Sequence, residues 1–352
     1  MSDTLTKLTY QTFQQGKNYF GLAHKTLSVR LLNLISPFEQ QTKPVPTEVL
    51  LTFQKKLDNL LESDWQDAEQ GVYPTSLLFD NPWQEFFQYY PVICLDLFQT
   101  WERAKQKNYQ DFPANVETSG YPSYYVQNFH HQTDGYLSDL SANLYDLQVE
   151  ILFGGTADPM RRRILAPLKK GLKSVFADLP HRQIRILDVA CGTGRTLKMI
   201  RAAFPQASLF GTDLSPAYLR KANELLSQIP GELPQLLQAN AEELPYLDNY
   251  FHAVTSVFLF HELPAKVRQR VIEQCYRVTK PGGVFIICDS VQMSDSPEME
   301  PFMENFHQMY HEPYYKHYMT DDLVERLEKA GFENVEIQVY LMSKYLIAHK
   351  PV

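Results

Sequence analysis

The residues best placed to do chemistry begin at Ile186-Leu187-Asp188-Val189-Ala190-Cys191-Gly192-Thr193-Gly194-Arg195, where an apolar strand pattern gives way to small residues and then to a helical pattern. Gly192 and Gly194 let the backbone pass close to a ligand and take dihedral angles that a side chain would forbid. The open N–H groups of the helix start favour polar or anionic ligand groups. About 20 residues beyond this loop a second strand pattern ends in Gly211-Thr212-Asp213-Leu214-Ser215, and a carboxylate there can accept hydrogen bonds from both hydroxyls of a ribose. The bland alternative for Asp188 and Asp213 is capping of the helices that follow them. NAD and S-adenosylmethionine both carry such a ribose, but a dinucleotide site wants G-x-G-x-x-G to admit the pyrophosphate. Here Arg195, Thr196 and Leu197 follow Gly194, and no third glycine is available. His261, after a fourth strand pattern, could act as a base at neutral pH or simply bond the sheet edge. Two further stretches, Tyr121 to Gln132 and Asn305 to Tyr318, mix tyrosines and histidines. His307 and His311 stand one helical turn apart, but no third ligand is fixed by spacing and no metal is assigned.

These residues need a frame. After Pro180 short apolar runs alternate with helical patterns: strands at Ile184 to Val189, Ala207 to Thr212, Leu236-Leu237, Ala253 to Leu259, Val284 to Cys288, Val335 to Tyr340 and Tyr345 to Ala348. Such alternation implies an α/β fold, a mostly parallel sheet with helices on both faces. Residues 1–120 read as helices. Val49, Leu50, Phe53, Leu57, Leu60 and Leu61 share one face, Asp80-Asn81-Pro82 looks like a helix start, and Pro91 opens a further run. With no chemical motif, this part is expected to be a helical accessory domain. Residues 121–182 are expected to form a lid and connecting helices. Within them Arg161-Arg162-Arg163 reads as a solvated helix face. The α/β domain spans 183–352, with an insert at about 290–319.

The segment around Asp188 resembles motif I of the class I methyltransferases, especially the branch of ubiquinone and menaquinone C-methyltransferases. Gln238 to Pro245 resembles the third motif of that branch, Phe251 to Pro264 the fourth, and Arg277 to Gly283 the turn before the fifth strand. The resemblance covers about Leu165 to the C-terminus. It implies a Rossmann-like, doubly wound, seven-stranded sheet and S-adenosyl-L-methionine as cofactor. By the same resemblance Ala190, Gly192 and Gly194 would line the methionine end, with Asp188 orienting their loop. Asp213 would take the ribose and Leu214 pack on the adenine face. Asn240, Ala241 and Glu242 would meet the adenine edge, and the Val257 carbonyl would lie near the methionine amine. Two positions depart from the pattern. Ala190 stands where many relatives have glycine, and His252 where they often have aspartate; His252 reads as a surface or strand-edge change. In relatives the segment before motif I folds over the cofactor and the insert caps the substrate. Tyr121–His131 and Phe306–Tyr318 are therefore expected to face each other across the pocket mouth. His261 and His130 are the candidate catalytic residues, and Tyr125, Tyr314 and Tyr315 the candidate acceptor contacts.

The implied activity is methyl transfer to a small apolar or aromatic acceptor, quinone- or prenyl-lipid-like. O-methylation of a carboxylate or phenol is the alternative within the class. A regulatory protein that binds the cofactor or its demethylated product is the alternative outside it. A net charge of −8 argues against nucleic acid as partner. No apolar run approaches the roughly 18 residues that cross a bilayer, and Met1-Ser2-Asp3-Thr4 lacks the pattern of a signal peptide. Cys94, Cys191, Cys275 and Cys288 form no C-x-x-C pair, which fits reduced thiols and a cytoplasmic setting. The sequence sets no oligomeric state.

Overall fold

Arg185–Val189 is buried at every residue after the first and forms the central strand β1, as expected of an apolar run inside a sheet covered on both faces. In the computed structural model, which describes residues 2–38 and 42–352, β1 is joined by β2 (Ser208–Asp213), β3 (Gln235–Gln238), β4 (Phe251–Val257), β5 (Thr279–Ser290), β6 (Glu333–Tyr340) and β7 (Ser343–His349). The sheet has seven strands in the order β3-β2-β1-β4-β5-β7-β6. Strands β1 to β5 are parallel. β7 enters antiparallel between β5 and β6, setting Val284 opposite His349 and Ile287 opposite Leu346.

The helices are α1 (Ser2–Ile35), α2 (Thr47–Glu69), α3 (Trp83–Gln106), α4 (Asp139–Leu152), α5 (Ala157–Arg162), α6 (Leu165–Phe176), α7 (Arg195–Ala203), α8 (Pro216–Ser227), α9 (Ala265–Val278), α10 (Glu300–Met309), α11 (Tyr315–Tyr318) and α12 (Leu323–Ala330). On one sheet face Leu168 and Leu172 of α6, Leu197 and Ile200 of α7 and Leu226 of α8 pack with Ile186, Leu209 and Ile286. On the other, Val271 and Ile272 of α9 and Leu323 and Leu327 of α12 pack with Leu187, Val254 and Phe285. The sheet is thus covered on both sides, as the alternating pattern requires.

No described residue before Arg185 lies in a strand. The N-terminal helices add a layer, and Tyr10, Leu57, Leu60 and Trp65 join the core beneath α6 and α7. Two expectations need correction here. Pro91 does not open a helix but lies inside α3; it is exposed, so water can serve the carbonyl that its missing N–H releases. The arginine run is not a solvated face. Arg161, Arg162 and Arg163 are all buried. Arg162 grips Asp64 of α2 through Nε and Nη2 at 2.9 and 2.6 Å, and Tyr73 donates to the same carboxylate at 2.6 Å. Arg163 pairs with Asp67, and Arg161 reaches Asp158 at 3.2 Å. Burying guanidinium groups is tolerable only with such partners, and their partners on α2 lie nearly a hundred positions upstream. Among the described residues, no helix is long and apolar enough to cross a membrane.

Candidate active site

Strand β1 has β2 on one side and β4 on the other, so the chain leaves it in opposite directions at this point. In open parallel sheets the crevice beyond the carboxyl ends of such strands receives the ligand. The loops after β1, β2 and β4 all open there.

The loop after β1 turns through left-handed residues, with φ of 56° at Ala190, 54° at Gly192 and 80° at Gly194. Ala190 therefore holds a conformation that glycine takes freely and alanine takes at a cost of about 1–2 kcal/mol. Its departure from the family pattern is strain, not obstruction. A Cβ added at Gly192 would meet nothing nearer than Tyr218 Cδ1 at 4.0 Å, whereas one at Gly194 would press on Leu226 and Ala222 of α8 at 3.0 and 3.1 Å. Gly192 thus faces open space and Gly194 faces a helix.

Asp213 closes β2 and accepts from Gly192 N at 2.8 Å and Ser215 N at 2.9 Å. The N-cap of α8 is Ser215, whose hydroxyl accepts from Tyr218 N, and Gly194 takes the N-cap position of α7. Neither aspartate caps the helix that follows it. Asp188 accepts from Thr255 Oγ1 at 2.6 Å. Burial pushes Asp213 up to about 6 against its backbone bonds. Burial, with Asp213 nearby, pushes Asp188 up to about 7. Asp188 is buried and Asp213 half-buried, their partners are a hydroxyl and backbone N–H groups, and each Asp213 oxygen keeps a lone pair. Together with the open space at Gly192, this set fits S-adenosylmethionine, which presents ribose hydroxyls and two cationic groups. At the same edge Asn240 Oδ1 accepts from Glu242 N at 2.9 Å, and Gln238 donates to the Leu214 carbonyl at 3.1 Å. Leu214, Asn240, Ala241 and Glu242 are partly exposed, and Val257 ends β4 opposite Cys288 of β5.

The stretch Tyr121–His131 lies over this edge. Tyr124 donates to Glu242 at 2.8 Å. Tyr125 packs between Tyr121 and Tyr136, at 5.6 and 6.1 Å between ring centroids, and Tyr136 meets Tyr145 and Tyr218 edge-on. The insert after β5 touches the same stretch: His130 N donates to His311 O at 3.1 Å, and Gln127 bonds both His311 Nε2 at 2.7 Å and Tyr314 OH at 3.1 Å. The two segments meet.

Beneath them His261 Nδ1 lies 2.7 Å from Asp289 Oδ1, at the end of β5. Burial disfavours the charged imidazole, but Asp289 outweighs it, with Glu312 and Glu262 adding, and His261 is pushed up to about 9. His130 stands between Glu312 at 2.9 Å and Glu262 at 3.4 Å, which against burial lift it to about 10. Both shifts favour the protonated imidazole. Tyr315 is buried with its hydroxyl 2.9 Å from Ser290 Oγ, so it backs His261 and does not front the pocket. His252 is likewise not at the surface. It is buried, accepts from Arg185 N at 3.0 Å and meets Phe176 edge-on. Glu262, Asp289, Glu312 and Tyr136 were not singled out from sequence. Glu262 follows His261 directly, which was a usable signal; the others had none.

Residues 186–283 match the family model described as a methyltransferase domain. A demethylmenaquinone methyltransferase from Geobacillus stearothermophilus is 31% identical over 109 residues, 31% of this chain and 46% of that protein. The ubiquinone/menaquinone biosynthesis C-methyltransferase UbiE of Burkholderia orbicola is 33% identical over 112 residues, 32% of this chain and 45% of that protein. The chain thus spans about half the length of these curated relatives. A solved S-adenosylmethionine-dependent methyltransferase from Aquifex aeolicus aligns with a TM-score of 0.36 and 20% identity, over 50% of this chain and 88% of that one. The strand order and the loop geometry at this edge are in keeping with the methyltransferase-domain match of residues 186–283.

Proposed function

We propose that the protein transfers a methyl group from S-adenosylmethionine to a small aromatic or apolar acceptor bearing oxygen, of the quinone or prenyl-lipid head-group kind, with C-methylation favoured. The observation that carries the acceptor class is the aromatic cluster of Tyr125, Tyr136, Tyr145, Tyr218 and Tyr314, of which Tyr218 stands next to Gly192. Aromatic walls of this kind suit a flat acceptor and keep water out. The names of the curated relatives support a quinone. When bound, the cofactor supplies an electrophilic methyl on a sulfonium. Asp213 takes its ribose hydroxyls, and Leu214, Asn240, Ala241 and Glu242 enclose the adenine. The loop of Ala190, Gly192 and Gly194, oriented by Asp188, receives the methionine end together with Val257. Tyr125 and Tyr314 contact the acceptor. His261 and His130 hold its oxygen, and catalysis lies in alignment and exclusion of water.

The test is incubation with methyl-labelled cofactor and a panel of reduced naphthoquinones, phenols and carboxylic acids, followed by analysis of the labelled product. A carbon-bound methyl on a quinol is expected. A methyl ether or ester would move the reaction to oxygen. Tight cofactor binding with no turnover on any acceptor, including a lipid extract, would replace the enzyme with a cofactor-binding regulator.

A further inference from the structure

Four ligand-type side chains converge beside the aromatic cluster, at the Tyr136 hydroxyl, from three separate stretches of chain. His130 comes from the lid, His261 and Glu262 from the turn after β4, and Glu312 from the insert. One ligand atom of each lies within 4.8 Å of all the others. Ligand atoms bound to one first-row ion at about 2.0–2.2 Å sit roughly 3–4 Å apart, so drawing in the widest separation by about 1–2 Å brings the set into coordination.

Two independent features point to a ligand here. Glu312 is 2% exposed, yet neither of its oxygens accepts a hydrogen bond. His130 Nδ1 lies 2.9 Å from Glu312 Oε1, but it too makes no hydrogen bond. The His130 ring pairs with Glu312 by distance and not by hydrogen-bond geometry, and a buried carboxylate with that one misaligned neighbour calls for a further partner. The other feature is the support of His261. Asp289 holds its Nδ1 at 2.7 Å and leaves Nε2 turned toward Glu262, 4.0 Å away. A carboxylate behind one ring nitrogen, with the other facing a ligand set, is how proteins orient a metal-binding histidine. Glu262 is steadied in the same way by the Tyr136 hydroxyl.

We propose that His130, His261, Glu262 and Glu312 form a binding site for a divalent first-row transition metal, placed to hold an oxygen of the methyl acceptor. Two imidazole nitrogens and two carboxylates, with no thiolate, suit iron(II), manganese(II), cobalt(II) or zinc(II) and not a thiophilic ion. The place is right for the acceptor, because Tyr136, which bonds Glu262, also receives the Ser215 hydroxyl at its carbonyl, 2.6 Å away and two residues from Asp213. The role in catalysis rests on the proposed function; the ion site does not. A hydroxyl bound to such an ion loses its proton to water more readily. The ring carbon of the resulting enolate forms the new C–CH3 bond while the sulfonium S–CH3 bond breaks, its electron pair staying on sulfur. The ring carbon then releases its proton to water, and the oxygen regains one on leaving. One methyl enters and one proton departs.

The experiment is metal analysis of the full chain after chelation and reloading, with cobalt(II), manganese(II) and zinc(II) titrated separately by calorimetry and cobalt(II) also followed by its visible absorption. One ion per chain and a higher Tm are expected. Glu312→Gln keeps the shape of the side chain and should weaken binding by more than about tenfold, with S-adenosylhomocysteine affinity retained. Where a variant fails to fold, the wild-type stoichiometry and its cobalt(II) spectrum decide. Less than a tenth of an equivalent bound, or cobalt(II) affinity indifferent to Glu312→Gln, overturns the site. Metal binding without methyl transfer to any acceptor would overturn the proposed reaction and leave the site standing. Methyl transfer unchanged by chelation would remove the ion from the reaction.

Discussion

Adding a single methyl group at Gly192 separates a ligand-binding loop from a merely tight turn. In Gly192→Ala the new Cβ clashes with nothing in the protein, its nearest neighbour being Tyr218 Cδ1 at 4.0 Å. The protein should therefore lose only the left-handed strain, about 1–2 kcal/mol, which Ala190 already bears at φ 56° in the same loop. The methyl occupies the space into which the ligand must fit, and overpacking of that kind costs about 1–3 kcal/mol, or about 5- to 150-fold in Kd. Gly194→Ala makes the converse case. Its φ of 80° adds strain and its Cβ presses on Leu226 and Ala222 at 3.0 and 3.1 Å, so about 2–5 kcal/mol should come off stability. Thermal denaturation and titration calorimetry with S-adenosylhomocysteine read the two variants side by side. The expected pattern is a nearly intact Tm with weakened binding for Gly192→Ala, and a clearly lower Tm for Gly194→Ala. A Gly192→Ala protein that binds within twofold of wild type would refute the placement of the cofactor beside this loop.

Three further outcomes follow from the same geometry. Asp64→Ala strands the buried Arg162 guanidinium and should cost about 3–5 kcal/mol in chemical denaturation, while Lys170→Ala at an exposed ion pair should change nothing measurable; a small loss at Asp64 would show that the ladder does not hold α2 to the core. Asp213 and Asp188, raised to about 6 and 7, must be ionised to meet a cationic ligand, so affinity should be level above about pH 8 and fall as pH drops through 7 and 6. Because their folded values lie above the unfolded ones near 4, their ionisation weighs against the ligand-free fold as pH rises from about 4 to about 7. Calorimetry at pH 6.5 in buffers of different ionisation enthalpy should register proton release on binding, and its absence would contradict the assignment. Tyr314→Ala should lower turnover while cofactor affinity stays within about 1 kcal/mol; equal losses in both would mean that Tyr314 supports the fold and not the acceptor.

The geometry of the loops after β1 and β2 was legible because its determinants are local. Asp188, the glycine loop and Arg195 are contiguous, and Asp213 ends the next strand. The strand pattern also gave the sheet, since runs such as Ile186 to Val189 can only be buried. What failed depends on partners far away in sequence. Three arginines in a row look solvated until Asp64 and Asp67 are brought against them. Pro91 reads as a helix start because the sequence does not say that its releasable carbonyl faces water. His252 looked peripheral because its acceptor role toward Arg185 N exists only once β1 and β4 are paired. Glu312 carried no pattern at all. It becomes notable only when the fold buries it beside His130.

This distinction gives the N-terminal helices a place in the site. The lid that carries His130 is gripped from behind by α3 and the chain beyond it. Arg103 Nε donates to the His131 carbonyl at 3.0 Å, and Thr133 donates to Asp96 at 2.5 Å. Asn128 receives Asp111 N at 2.7 Å and donates to the Gln132 carbonyl at 3.0 Å. His130 and His131 are held at φ of 55° and 60°, a conformation unfavourable for side-chain-bearing residues and one that persists only where the surroundings over-determine it. The surroundings here are α3 on one side and the His311 carbonyl on the other. The seven-stranded domain by itself supplies His261 and Glu262, while the aim of His130 comes from helices that carry no chemical motif. A chain reduced to the strands and their helices would keep the cofactor loop and lose the direction of the lid.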